Sequence, residues 1–303
     1  MALDSDILVD RRRLKRGLNA WRALAIIAAL AVVFMALGKM GSIPGGDHIA
    51  RVVIDGVIIN NRDRLDAIDA LAKDSGVKAV LVAIDSPGGT VVGGEAIYRS
   101  LRAVAGKKPV VAAMGDTAAS GGYMVALGAY RIYAHEATIT GSIGVILQAA
   151  EITELLNKIG VTPVEIKSGP LKAQPSPFEK LTPEARRVNQ DVVNDIYDMF
   201  VRMTAERRGL APERARQLAD GRIYTGRQAV ANGLVDKIGD EADAVDWLVK
   251  EKGLPKGLPV RDVKWDRGLS SWADRLDSLA RKTVFSERLT LDGLVALWHP
   301  SVN

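Results

Sequence analysis

Two periodicities alternate along most of the chain. Residues 51–59 are apolar and rich in β-branched side chains, and residues 62–74 carry Leu65, Ile68 and Leu71 at helical spacing. Residues 78–84 (KAVLVAI) are apolar after the first position, which predicts a strand buried on both faces. The same reading predicts helices over 94–105, 121–127 and 151–159. It predicts strands over 109–114, 131–134, 143–147 and 161–166. Apolar strands separated by helices imply an α/β domain with a parallel sheet covered on both faces.

A longer helix is expected from Thr182 to about residue 208. Thr182-Pro183-Glu184 supplies an N-cap and a proline at the first helical position. Val188, Val192, Ile196, Phe200 and Met203 form one apolar stripe, suited to core packing or to a subunit contact. Shorter helices follow at 212–219, 226–231 and 240–252, then a strand at 258–264. From residue 266 the character changes. Leu269, Trp272, Leu276 and Leu279 are helically spaced among charges, and residues 289–298 (LTLDGLVALW) are apolar again. The role of this 266–303 tail is open.

The amino-terminal pattern is different in kind. Residues 1–22 hold a net charge of +3, and residues 23–38 carry no charge at all. Sixteen residues span roughly 24 Å as a helix, slightly less than a hydrocarbon core of ~30 Å. Trp21 and Arg22 on one side and Lys39 and Met40 on the other could complete a span. The expected organisation is a basic cytoplasmic tail at 1–22, a transmembrane signal anchor at 23–40, a Gly/Pro-rich linker at 41–50, a catalytic domain at 51–265 and the tail. A cleavable signal peptide and a buried core helix are the alternatives. Positive residues before the span place the domain outside the cytoplasm.

This placement changes the meaning of the composition. The chain of 303 residues has a formal charge of +5, which alone would suggest nucleic acid. Most of that charge flanks the apolar run, so topology accounts for it and no nucleic-acid partner is needed. No cysteine is present, which excludes disulfides, thiol nucleophiles and thiolate metal sites. With only three histidines, a multi-histidine metal centre is not expected.

Candidate chemistry lies in two glycine-rich loops after strands, Asp85-Ser86-Pro87-Gly88-Gly89-Thr90 and Thr117-Ala118-Ala119-Ser120-Gly121-Gly122-Tyr123. Ligands of parallel α/β sheets bind at such strand ends. Ser120 stands at the start of a predicted helix, either as a nucleophile beside amide donors or simply as a helix cap. The Gly-x-Ser-x-Gly elbow is absent because position 118 is alanine. The match Ser75-Gly-Val-Lys78 lacks its partner motifs and is read as chance. His135 is the remaining histidine for a triad, but a histidine beside a strand end is usually structural. A lysine is then the natural base for Ser120. It must be neutral, so its pKa must fall from about 10.4 by several units through burial. Lys167, Lys172 and Lys180 follow a predicted strand, in or beside a proline-rich segment, and are the candidates.

Five segments together resemble the signal peptide peptidase A family of serine–lysine peptidases: 84–98 (IDSPGGTVVGGEAIY), 108–129 (KPVVAAMGDTAASGGYMVALGA), 139–146 (ITGSIGVI), 166–184 (IKSGPLKAQPSPFEKLTPE) and 221–239 (GRIYTGRQAVANGLVDKIG). The resemblance implies a ClpP/crotonase-like parallel sheet covered by helices and preceded by one transmembrane helix. It implies Ser120 as nucleophile, Lys172 as general base and Ser142 as the residue orienting that lysine. The oxyanion hole would come from amides of Gly88 or Gly89 and of Gly121. No metal or cofactor is implied. The expected substrates are remnant signal peptides, cleaved from secretory precursors. The expected assembly is a homo-oligomeric ring in the bacterial inner membrane, with serine and lysine paired within or between protomers. A crotonase-like acyl-CoA enzyme and a non-catalytic membrane scaffold are the competing classes.

Overall fold

The computed structural model describes residues 46–265, the strand at 294–297, and helical Trp21, Arg22, Ala25 and Ile26. The chain divides into residues 1–46 and 47–303. In the first unit Trp21 and Ile26 are exposed. Among the described residues no helix is long and apolar enough to cross a membrane. The anchor expected at 23–40 lies outside the described residues apart from Ala25 and Ile26. So do residues 266–293 and 298–303 of the tail.

In the second unit, β1 (His48–Ile58) opens inside the stretch expected as linker. Helix α1 (Arg62–Leu71) leads to β2 (Val77–Thr90), and α2 (Val91–Ala105) leads to β3 (Val110–Ala119). These three strands are parallel, with β2 central. After α3 (Gly121–Ala126), β4 (Arg131–Ala134) extends the parallel set beside β3. β5 (Ile139–Gly141) pairs with the outer end of β3, and β6 (Ile146–Leu147) follows. Of the strand expected at 143–147 only 146–147 is formed, and β5 was not among the expected strands.

A short α4 (Thr153–Lys158) precedes the long α5 (Pro183–Arg208). Thr182 caps α5, its side chain accepting from the Ala185 amide. Then come α6 (Pro212–Leu218), β7 (Ile223–Thr225), α7 (Gly226–Ala231), β8 (Lys237–Ile238), α8 (Glu241–Lys252), β9 (Val260–Asp262) and β10 (Leu294–Leu297). β7 runs antiparallel to β5, and β10 antiparallel to β2 and β6, so the sheet is mixed where a parallel one was expected. The antiparallel members are short strands at the carboxyl end of the parallel core.

Strand alternation sorts the core. Val52, Ile54, Val80, Val82, Ile84, Val110, Ala112 and Met114 face one side and pack with α1, α2, α3 and α5. Ile49, Leu81, Val111, Ala113 and Tyr133 face the other and meet Ala244 and Leu248 of α8. This is the period of two expected of strands buried on both faces. The apolar stripe of α5 divides. Phe200 and Met203 are buried, whereas Val192 is exposed, so core packing explains only its carboxyl half.

The strand expected at 161–166 is not formed; these residues are irregular. From 148 to 181, Ser176 alone is buried. This arm lacks the sheet neighbour that would turn its β-branched residues into a strand.

Candidate active site

β2 and β3 stay paired as far as Ser86 and Ala118, then separate. β2 continues beside β1, and β3 takes up β5. The first glycine-rich segment predicted as a loop is therefore an extended strand end, and the second runs from the end of β3 through Ser120 into α3. Thr140 Oγ1 donates to Ala118 O at 2.7 Å and ties β5 to β3. The Ser120 amide donates to Gly141 O at 2.8 Å, and the Ser142 amide donates to Arg222 O at 2.8 Å. These bonds place Ser120 and Ser142 on neighbouring strand ends.

Both serines line one open cleft of about 390 Å³, with Val145, Ile146, Asn194, Tyr197 and Asp220. Ser120 is 1% exposed and Ser142 9%. Ser120 has φ 53° and Ser142 φ 49°, in the left-handed region that L-residues rarely adopt. Such a conformation persists only when its surroundings enforce it; here the two amide bonds do so. Ser120 sits at the N-cap of α3 yet makes no capping hydrogen bond with its side chain. Its hydroxyl is thus not spent as the cap that the simpler reading required. The helix is anchored otherwise: buried Tyr123 donates to Leu234 O at 2.9 Å, and burial pushes its phenol pKa up.

The opposite wall is shaped by Ser86, which the sequence reading did not single out. Its buried Oγ donates to Gly56 O at 2.6 Å and accepts from the Gly88 amide at 3.1 Å. Gly88 has φ 109°, a conformation that favours glycine. The Gly88 amide thus donates to Ser86, and Gly89, the other oxyanion candidate of the pair, lies in register with Ile58 of β1. Gly122 brings the walls together: a Cβ there would lie 2.8 Å from Ser86 O. A serine spaced two residues before a glycine is the only hint of this bond in the sequence.

The lysines fall on the arm. Lys172 is exposed, and it does not line the Ser120 cleft. The next residue, Ala173, has φ 61° and is the third positive-φ non-glycine position among the described residues, after the two serines. Lys167 pairs with Glu165 at 2.6 Å and with Glu179, so it is committed to carboxylates. One chain therefore assembles the serines and glycines and leaves Lys172 apart from them. Lys78 donates to Ser75 O at 3.0 Å and pairs with Asp47 at 3.1 Å, a local structural role for that serine–lysine match. His135 is exposed and lines a different cleft, with Arg51, Asp85 and Asp240. Among the described residues no group of three or more acidic or histidine side chains could hold a metal ion.

At the mouth of the cleft, Arg222 bonds Asp220 at 2.7 Å and holds its carboxyl below the usual carboxylate range. Asn194 and Tyr197 reach the cleft from α5. Sequence spacing could not show that this helix faces Ser120.

A family model for peptidase family S49 matches residues 102–255, which hold Ser120, Ser142 and Lys172. The chain belongs to peptidase family S49. A Synechocystis protein named as a protease is 41% identical over 242 residues, 75% of this chain and 87% of its own. An Enterococcus faecium protein named as signal peptide peptidase SppA is 43% identical over 217 residues, 70% of this chain and 62% of its own. Among solved structures, a ClpP1 variant from Listeria monocytogenes covers 64% of this chain and 94% of its own, at 19% identity and a TM-score of 0.43. This S49 member is a serine peptidase. The acyl-CoA and scaffold alternatives fall with that assignment.

Proposed function

We propose that this serine peptidase is a membrane-anchored endopeptidase that degrades remnant signal peptides by Ser120/Lys172 acyl-enzyme catalysis. The observation that carries the reading is Ser120 itself, held at positive φ in a cleft, unspent as a cap and beside Ser142. Neutral Lys172 takes the Ser120 proton as the oxygen attacks the peptide carbonyl. Charge gathers on the carbonyl oxygen, stabilised by the Gly89 and Gly121 amides, each donor worth about 3 kcal/mol. Collapse breaks the C–N bond, and the lysine returns the proton to the leaving amine. Water activated by the same lysine then hydrolyses the ester. Ser142 orients the amine.

The position of Lys172 favours pairing between protomers. A base lysine needs desolvation, and its own chain leaves Lys172 exposed. The arm that bears it also exposes Ile159, Val164 (82%) and Ile166 (98%). Exposed apolar groups of this extent mark an interaction surface. A second copy packed on the arm would cover them and bury the lysine beside that copy's Ser120, as in a homo-oligomeric ring. The basic and apolar stretches of residues 1–40 support a membrane anchor with the catalytic domain outside the cytoplasm.

The test uses Ser120→Ala and Lys172→Ala in the full chain, with hydrolysis of an uncharged fluorogenic peptide as readout. Each alone should abolish turnover, and mixing them under exchange conditions should restore part of it. Retained hydrolysis in Ser120→Ala would overturn the nucleophile assignment. Failure of every mixture, with subunit exchange verified, would place the pair within one protomer.

A further inference from the structure

Lys167 is one of three lysines that the sequence offers as a base, and the proposed chemistry leaves it unused. Its side chain is only 14% exposed, on an arm where Ser176 alone is buried. It stands between two carboxylates, Glu165 at 2.6 Å and Glu179. The Ser176 hydroxyl donates to Glu165 Oε1 at 2.9 Å and accepts from the Phe178 amide at 3.1 Å. Lys167 first, and Ser176 after it, hold the Glu165 carboxyl below the usual carboxylate range. Residues drawn from 165 to 179 thus form one connected polar cluster.

The arm has little else to fix its shape. Residues 161–166 are irregular, and Val164, Ile166, Leu171 and Phe178 are exposed, so apolar burial does not order it. Charges drawn out of water add little net stability, but they penalise every conformation that leaves one of them unpaired. The cluster closes a short loop, and Lys172 lies near its middle, five residues after Lys167 and four before Ser176. Within the loop the Lys172 amide donates to Gly169 O at 3.2 Å, and Ala173 has φ 61°. Prolines at 170, 175 and 177 restrict the rest of its backbone. The Ile152 amide donates to Pro177 O at 2.9 Å and joins the loop to the start of α4.

We propose that Lys167 is a positioning residue: clamped by Glu165 and Glu179, it fixes the loop that bears Lys172 and so the place where that amine meets a Ser120 hydroxyl. The proposal rests on the reading of Lys172 as base. Lys167 does not take the proton itself, because a lysine between two carboxylates is held as an ammonium, the wrong form for a base. Its loss leaves two carboxylates close together without their cation, and their repulsion opens the loop. Misplacing the amine by about 1 Å costs on the order of 100-fold in turnover. Peptide binding on the serine side is untouched, so KM barely changes.

Arginine separates a clamp from a base, since a guanidinium pairs with carboxylates but does not give up its proton. In the full chain, Lys167→Met should lower kcat for an uncharged fluorogenic peptide by about 100-fold, with KM nearly constant. Lys167→Arg should keep most of the parent's turnover, whereas Lys172→Arg should have none. Because arginine is the larger side chain, a second variant joins Glu165→Gln to Glu179→Gln. It keeps Lys167 and removes its partners' charge, and its kcat should fall as well. An unchanged kcat in Lys167→Met would overturn the proposal. So would Lys167→Arg as inactive as Lys167→Met alongside a fully active glutamine pair, the pattern of a proton carrier. Amide exchange gives a readout independent of turnover. In a Ser120→Ala background the Lys172 and Phe178 amides should exchange faster once Lys167→Met is added, and equal exchange would also overturn the proposal. If Lys172→Ala still hydrolyses peptide, the reading of Lys172 as base fails, while amide exchange still decides whether Lys167 holds the loop.

Discussion

Replacing Ser86 with alanine separates positioning of the oxyanion wall from chemistry at Ser120. The Ser86 hydroxyl holds Gly56 O at 2.6 Å and the Gly88 amide at 3.1 Å. Ser86 is 1% exposed, so water cannot readily replace it. Alanine leaves the buried Gly88 amide without this partner, while the Gly56 carbonyl belongs to an exposed residue and can turn to water. An unsatisfied buried group costs about 1–3 kcal/mol. For the one buried group left, the middle of that range is about 2 kcal/mol. For a domain of this size that lowers Tm by roughly 4–8 °C. The catalytic consequence follows from the same two bonds. Freed from Ser86, Gly88 no longer fixes the direction of the Gly89 amide. A misaimed oxyanion donor should lower kcat by about tenfold, short of the ~10²–10³ seen when a donor is removed outright. KM should barely change, because the ground-state carbonyl is less dependent on that donor. Thermal unfolding by circular dichroism and steady-state hydrolysis of a fluorogenic peptide test both parts. A destabilised variant with unaltered kcat would refute the link between Ser86 and the oxyanion wall. Gly89 would then need another support.

Other substitutions test the remaining joints. Gly122→Ala should push α3 away from Ser86, because its Cβ would meet Ser86 O at 2.8 Å. Hydrolysis should fall more than tenfold while the chain stays folded by circular dichroism, on the scale of angstrom-level misplacement. Phe200→Ala should cost about 3–5 kcal/mol in urea unfolding, whereas exposed Val192→Ala should stay within about 0.5 kcal/mol. A similar loss at both positions would contradict the division of α5. Asp220 and Asp240 are held below the usual carboxylate range, chiefly by Arg222 and by the Asp243 amide respectively. A depressed folded pKa gives stability that is present above the unfolded carboxylate pKa and lost as pH falls through the folded one. Asp220→Asn and Asp240→Asn should therefore narrow their Tm difference from the parent only below about pH 4. A difference that closes already between pH 5 and 8 would contradict this.

Local chemistry made much of the fold legible. The apolar runs at 78–84 and 109–114 had to be strands buried on both faces, and they are β2 and β3. Thr182-Pro183 fixed the start of α5, and Thr225 and Asp240 cap α7 and α8 with reciprocal bonds. The run at 161–166 misled because β-branched composition reports a fit to a sheet, and the arm has no sheet beside it. Both glycine-rich segments read as loops because glycine permits turns. Here Gly88 and Gly89 lie in a strand end and Gly121 and Gly122 open α3, since glycine also permits close backbone approach. Ser86 escaped notice because serine is common near turns, and its role depends on Gly56, thirty residues away.

By itself the sequence determined the alternation of strand and helix, the caps, the placement of charge near the amino terminus and the exclusion of thiol chemistry by the absence of cysteine. These depend on nearest neighbours, local periodicity and composition. Tertiary structure alone decided that β2 and β3 part after Ser86, that Ser142 and α5 share a cleft with Ser120, and that 294–297 pairs between β2 and β6. It also left Lys172 outside the cleft of its own chain. Those relations join residues far apart in the chain, and they are fixed by strand register and by burial of both sheet faces, which no local window contains.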